Sequence, residues 1–197
     1  MSAFNGDFQA EARIKHIQKT FNCPIGIETG TLRGWTTVAM ATMFPKVFTI
    51  EAELTNFSIS RMLLKPIKNV KMLYGNSGEI LDTLLAELSP TLASNERIFL
   101  YLDAHWNEYW PLLDELRAIA KHLKHKACIV IDDVQVPGRP DIPFDSYGGH
   151  ACSYEYVKPV LIEIYGGEQM YVVEYMYPDD ESVLKCHAKL LITPKTI

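Results

Sequence analysis

The sequence predicts an α/β protein built on an open, doubly wound, mostly parallel seven-stranded sheet that ends in a C-terminal antiparallel hairpin. Two apolar runs point to it first. Ile98-Phe99-Leu100-Tyr101-Leu102 runs into Asp103, and Cys128-Ile129-Val130-Ile131 runs into Asp132-Asp133. Runs this short and this rich in Ile, Val, Phe and Tyr, with a helix-patterned stretch between them, read as buried parallel strands. The third observation is that strand-then-helix alternation recurs from Ile25 onward, the pattern of successive βα units. Ligands of such sheets sit outside the carboxyl ends of the strands, so the aspartates ending these runs stand where chemistry is expected.

The elements follow in order. Asp7 to Phe21 spaces Phe8, Ile14, Ile17 and Phe21 roughly helically, an amphipathic lead-in helix. Ile25-Gly26-Ile27 makes a first strand ending at Glu28, and Gly30, Thr31 and Gly34 form a tight turn into a helix from Trp35 to Phe44. Val47 to Ile50 is the second strand, ending at Glu51, and Thr55 is the expected cap of a helix reaching Leu64. Val70 to Tyr74 is the third strand, with Ser77 the expected cap of a helix through Leu88. A polar loop, Ser89 to Glu96, leads into the strand before Asp103. Pro111 suits the first turn of the next helix, whose Leu112, Leu113, Leu116, Ile119 and Leu123 share one face.

After Asp133 the pattern changes. Val136 to Cys152 is rich in Gly, Pro and Asp and too long for a simple connection, which marks a candidate active-site loop. Ser153 to Tyr165 is helical and stops at Gly166-Gly167, with Pro159 either kinking it or marking its start. Met170 to Tyr177 and His187 to Thr193 form the closing hairpin across an acidic turn. The whole is Rossmann-like.

Composition narrows the function. At 197 residues the chain is expected to be one domain, 1–197, with 48% hydrophobic residues to fill its core. A net charge of −5 without any Lys/Arg run argues against a nucleic-acid partner. Cys23, Cys128, Cys152 and Cys186 are scattered without a CxxC pair, so they read as reduced and structural. With no apolar stretch long enough to span a bilayer and no presequence pattern, no membrane association and a cytoplasmic location are expected.

The segment from Ile25 to Thr37 places Glu28, Gly30, Thr31 and Gly34 between a strand and a helix. Glycines let the backbone approach a ligand, and the helix start around Thr36 offers free N–H groups to a carboxylate or phosphate. Glu51 stands about where an acid receives both hydroxyls of a ribose. From the residues alone, a plain βα turn and a solvated strand-end charge stay open.

With Gly75-Asn76-Ser77 after strand three, these residues resemble the class I S-adenosylmethionine-dependent methyltransferases over nearly the whole chain. The resemblance implies S-adenosylmethionine as cofactor, with Glu51 on the ribose and Gly30 and the helix start on the methionine carboxylate. It puts Asn76 and Ser77 beside the adenine and Asp103 near the cofactor's ammonium. Nicotinamide dehydrogenases share the outline, but they carry Gly-x-Gly-x-x-Gly where Glu28 here precedes a sparser Gly-x-x-x-Gly.

Later segments are similar to a narrower group, the metal-dependent small-molecule O-methyltransferases. Leu102-Asp103-Ala104-His105-Trp106 looks like the Leu-Asp-His-Trp motif of catechol-type enzymes with Ala104 inserted. Ile131-Asp132-Asp133-Val134 with Pro137-Gly138 falls where those enzymes have Asp-Asn and a proline-glycine loop. The Asp-Asp pair is also similar to the macrocin-type sugar and antibiotic O-methyltransferases. The resemblance implies that Asp103, Asp132 and Asp133 bind Mg²⁺ or another divalent cation, a role that carboxylate oxygens suit. The acceptor it implies is a hydroxyl of a small molecule. The other reading of Asp132-Asp133 is a strand end that binds the loop backbone.

Catechol-type enzymes place a lysine after their tryptophan, and Asn107 stands there in this chain. His105 is then the expected proton acceptor and His150 a second candidate, because imidazole is the side chain that titrates near neutral pH. His105 could equally orient Asp103 or pack under Trp106. Trp106, Tyr109 and Trp110 suit an aromatic wall or helix packing, and Tyr147-Gly148-Gly149 suits the hinge of a lid. The short N-terminus offers little material for a substrate cap, which leaves a place for a partner subunit in a homo-oligomer. Two rivals stay open: a metal-independent methyltransferase acting on nitrogen or a macromolecule, and a non-catalytic S-adenosylmethionine-binding protein.

Overall fold

The computed structural model describes residues 3–105, 109–177 and 187–195. Trp106, Asn107, Cys186 and the acidic turn before His187 lie outside the described residues.

Seven strands form one sheet. The parallel strands β1 (Ile25–Thr29), β2 (Lys46–Glu51), β3 (Val70–Tyr74), β4 (Ile98–Leu102) and β5 (Ala127–Val134) are followed later by β8 (Tyr171–Met176) and β9 (Ala188–Pro194). Their order is β3-β2-β1-β4-β5-β9-β8, with β9 antiparallel to both of its neighbours. The order reverses between β1 and β4, the switch point at which such sheets open a crevice. Register then decides what meets there. Thr29 pairs with Ile50 and Leu102, Glu51 with Tyr74, and Leu102 with Ile131, so four loops leave the sheet at one level.

Alternation along each strand sorts side chains to two faces. Ile98, Leu100, Leu102, Ile129 and Ile131 join a core with helices α4 (Ser77–Leu88), α5 (Leu112–His122) and α6 (Tyr154–Tyr165). Phe99, Tyr101, Cys128 and Val130 face α1 (Phe8–Thr20) and α2 (Trp35–Met43). Helix α3 (Leu54–Leu64) lies beside α2, with Leu64 against Gly34. The sheet is doubly wound, as the sequence predicts.

Local capping differs in detail. Asp7 caps α1, but the buried face is Ala10, Ile14 and Ile17, while Phe8 is 80% exposed. Glu53 rather than Thr55 caps α3, its carboxylate accepting from the N–H groups of Thr55 and Asn56. Asn76 rather than Ser77 caps α4, accepting from Gly78 N at 2.9 Å. These carboxylate and amide oxygens satisfy the free N–H groups of a first turn. Ser153 caps α6, which runs through Pro159 unbroken to Gly166. Inside the long loop a two-residue hairpin forms, β6 (Ser146–Tyr147) against β7 (His150–Ala151), turning through Gly148 and Gly149. Among the described residues no helix is long and apolar enough to cross a membrane.

Candidate active site

A cleft of about 220 Å³ opens at the switch point. Of the expected cofactor residues, Gly30, Glu51, Asn76, Ser77 and Asp103 line it, joined by His105. Gly30 adopts φ +81°, and a Cβ there would come within 2.6 Å of the Asp103 carbonyl oxygen. Only glycine lets β1 turn away this close to β4. Glu51 is nearly buried, yet its carboxylate is held in place. One oxygen accepts from Leu32 N at 2.7 Å and the other from Glu53 N at 2.9 Å. Each oxygen keeps a lone pair for a ligand.

Glu28, Thr31, Gly34 and Thr36 do not line the cleft. Glu28 points to the α2 side, where it accepts from the hydroxyls of Thr37 and, at 2.6 Å, Thr49. Thr31 meets Thr49 at 2.6 Å, so a buried chain of hydroxyls braces the turn from behind. Burial pushes the Glu28 carboxyl up to about 7 against the pull of Thr37 and Thr49. Gly34 opens α2, and Thr36 accepts from Phe4 N at 3.3 Å.

Beyond Asp103 and His105 lies a second, smaller chamber of about 20 Å³, bounded by Trp110, Glu115, Asp132, Asp133 and Tyr147 among others. Donor atoms of Asp103, His105 and Asp133 all lie within 4.8 Å of one another. Burial, then Asp132 and Asp133, hold the Asp103 carboxyl well above the usual carboxylate range. Burial and Asp132 raise Asp133 to about 6, against the opposing pull of His187, whose Nδ1 sits 2.6 Å from Asp133 Oδ1. Crowded carboxylates of this kind favour a bound cation.

Asp132 does not join them. Strand alternation sends it to the α1 side, where it accepts from the Tyr101 hydroxyl and lies 3.4 Å from Lys189 Nζ. Burial works to lower the Lys189 ammonium, but Asp132 and Asp7 outweigh it and raise it. A bulge separates the two aspartates: pairing with β9 shifts between Ile131 and Val134, and Asp133 takes φ +60°. Bulges re-aim side chains beside active sites. All three expected ligands border the chamber, but the Asp132 carboxylate is committed to Tyr101 and Lys189, while ligand atoms of Asp103 and Asp133 come together.

Sequence reasoning missed Lys189, His187, Asp145 and Glu115. Two of them carried a signal. Lys189 interrupts an apolar strand, and Glu115 interrupts the apolar face of α5, positions where a charge needs a partner. Glu115 is fully buried, and neither oxygen accepts a hydrogen bond among the described residues. Burial raises it to about 7, eased by the nearby Ser77 and Thr29 hydroxyls. His150, the second base candidate, stacks on Tyr156 with centroids 5.1 Å apart. Tyr109 donates to Asp114 at 2.9 Å, and Trp110 stacks on Tyr156 at 5.0 Å.

No family model matches the sequence, and no curated protein matches it. Solved structures do match its fold. The O-methyltransferase TomG from Streptomyces achromogenes, involved in tomaymycin synthesis and solved with SAM, superposes at TM-score 0.64 with 16% identity, over 95% of this chain and 80% of that one. An O-methyltransferase from Bacillus cereus, solved with SAH, gives 0.56 and 16% over 95% and 81%. An rRNA methylase from Streptococcus thermophilus gives 0.55 and 12% over 96% and 95%. The fold is that of the class I S-adenosylmethionine-dependent methyltransferases, in line with the sequence resemblance.

Proposed function

We propose that the chain is an S-adenosylmethionine-dependent O-methyltransferase acting on a hydroxyl of a small molecule, assisted by Mg²⁺ or another divalent cation. The observation that carries this reading is the joining of two spaces at Asp103 and His105. On one side is the cleft with Glu51 at its rim, and on the other the acidic chamber. The cleft fits the cofactor: Gly30 leaves room where a Cβ would clash, and Glu51 presents oriented oxygens to a ribose. When bound, S-adenosylmethionine would supply an electrophilic methyl group to the acceptor oxygen, with its sulfur as the leaving group.

The chain's own residues do the positioning on which an in-line displacement depends. Glu51 would hold the ribose, Asn76 and Ser77 would flank the adenine, and Asp103 would lie toward the ammonium. His105, exposed at the junction, takes the acceptor's proton. Asp103 and Asp133 suit an oxygen-seeking divalent ion, which would supply Lewis acidity to the acceptor hydroxyl. The net charge of −5 and the small, carboxylate-lined chamber favour a small acceptor over a nucleic acid. The buried free thiols Cys23, Cys128 and Cys152 suit a reducing compartment, and the cytoplasm is the proposed location.

One observation favours a metal-independent enzyme: His187 Nδ1 already occupies hydrogen-bond distance of Asp133 Oδ1, at 2.6 Å. Calorimetry and turnover assays decide between these readings. S-adenosylhomocysteine is expected to bind and NADH not to, while EDTA stops transfer to hydroxylated acceptors and leaves S-adenosylhomocysteine bound. NADH binding without S-adenosylhomocysteine binding overturns the assignment. Full turnover in EDTA selects the metal-independent enzyme.

A further inference from the structure

The chamber beyond the cleft holds more carboxyl groups than the proposed mechanism uses. Among the described residues bounding it are five carboxylates and no Lys or Arg. Asp132 is matched by Lys189, and Asp103 and Asp133 are the pair assigned to a divalent ion. Asp145 and Glu115 remain. Asp145 accepts from the Tyr147 hydroxyl at 2.7 Å, and His187 stands 4.0 Å from it. Glu115 is more telling. It is a fully buried carboxyl bounding the chamber, and neither oxygen accepts a well-formed hydrogen bond among the described residues, although the Ser77 and Thr29 hydroxyls lie near it. An unrelieved buried acid is expensive, and native proteins keep such groups chiefly where a ligand completes them.

The walls add a second, independent feature. Trp110 and Tyr147 lie with centroids 5.4 Å apart, His105 stacks on Tyr147 at 5.8 Å, and Trp110 stacks on Tyr156 at 5.0 Å. Aromatic faces attract organic cations, and carboxylates beside them strengthen the preference. Tyr147 sits on the β6–β7 hairpin, so one wall belongs to the loop rather than to the sheet. The present volume of about 20 Å³ suits a single water, so seating a larger group requires the walls of the chamber to give way.

We infer that the methyl acceptor is an organic cation, carrying a protonated amine that seats against Glu115 and Asp145 under the rings of Trp110 and Tyr147. This rests on the methyltransferase reading and names the substrate class of the same site. A negatively charged acceptor is disfavoured by the same groups.

The test measures binding to S-adenosylhomocysteine-loaded protein by ligand-observed NMR. The probes are matched hydroxylated pairs that differ only in charge: tyramine against N-acetyltyramine, and further amino alcohols against their N-acetyl derivatives. Amines are expected to bind about tenfold tighter or more than their acetylated partners. Glu115→Gln, nearly isosteric, or Asp145→Asn is expected to remove most of that preference while S-adenosylhomocysteine affinity holds. Equal binding within pairs, no binding by any amine, or a preference that survives both substitutions overturns the inference. Failure of S-adenosylhomocysteine itself to bind would instead overturn the methyltransferase reading beneath it.

Discussion

The ammonium of Lys189 lies 3.4 Å from Asp132 Oδ1, and both side chains are shut away from solvent. This pair ties β5 to β9, and we propose that Asp132 serves as that anchor rather than as the expected metal ligand. Removing one partner of a buried ion pair strands the other, at about 3–5 kcal/mol. Asp132→Ala is therefore expected to lower the melting temperature sharply while divalent-ion affinity of the folded protein changes little. Loss of ion binding at an unchanged melting temperature would show that Asp132 is a ligand after all.

Glu51 accepts from two backbone N–H groups and lines the cleft, where we propose it receives the ribose. Glu51→Ala is expected to weaken S-adenosylhomocysteine binding by about 1.5–3 kcal/mol, the worth of lost charge-assisted hydrogen bonds. Calorimetry on wild type and variant measures it directly, and unchanged affinity would remove Glu51 from the cofactor site.

His105 stands beside Asp103 and Asp133 with its donor atom within 4.8 Å of theirs. As proton acceptor, its loss in His105→Ala is expected to reduce kcat by about 10²–10⁴ with ion and cofactor affinities retained. Loss of ion affinity in the variant would make His105 a ligand instead. Near-normal kcat would remove it from the mechanism.

Glu28 gives the ligand-free protein a pH signature. Its folded pKa, about 7, lies above the ordinary 4.5, so between these values the folded state binds more protons than the unfolded one. Stability from this group is full below about pH 4.5 and is lost as pH rises through 7, by roughly 3 kcal/mol. Glu28→Gln is expected to flatten the fall in melting temperature between pH 5 and 8. A variant whose profile parallels wild type would contradict the assignment of that slope to Glu28.

The order of strands and helices was legible because β1, β2, β4 and β5 are short apolar runs with an acid at or beside the end. Glu51 and Asp103 were legible for the same reason: the carboxyl end of a strand is where the crevice lies. Caps were misplaced by one or two residues at Glu53 and Asn76, because neighbouring polar side chains compete for the same free N–H groups. The division of Asp132 from Asp133 was half legible. Period-2 alternation from Cys128 and Val130 already sends Asp132 to the α1 face, whereas the bulge that turns Asp133 into the chamber depends on pairing with the distant β9. Lys189, His187 and Glu115 come from elements remote in sequence, so their meeting with the aspartates is tertiary information.

The most direct test of the account is a crystal structure of the protein with S-adenosylhomocysteine and Mn²⁺, the ion located by anomalous scattering. The account predicts the ribose on Glu51, the ion on Asp103 and Asp133, and Asp132 still paired with Lys189. A cleft that excludes S-adenosylhomocysteine, or an ion bound by Asp132 with Lys189 displaced, would contradict it.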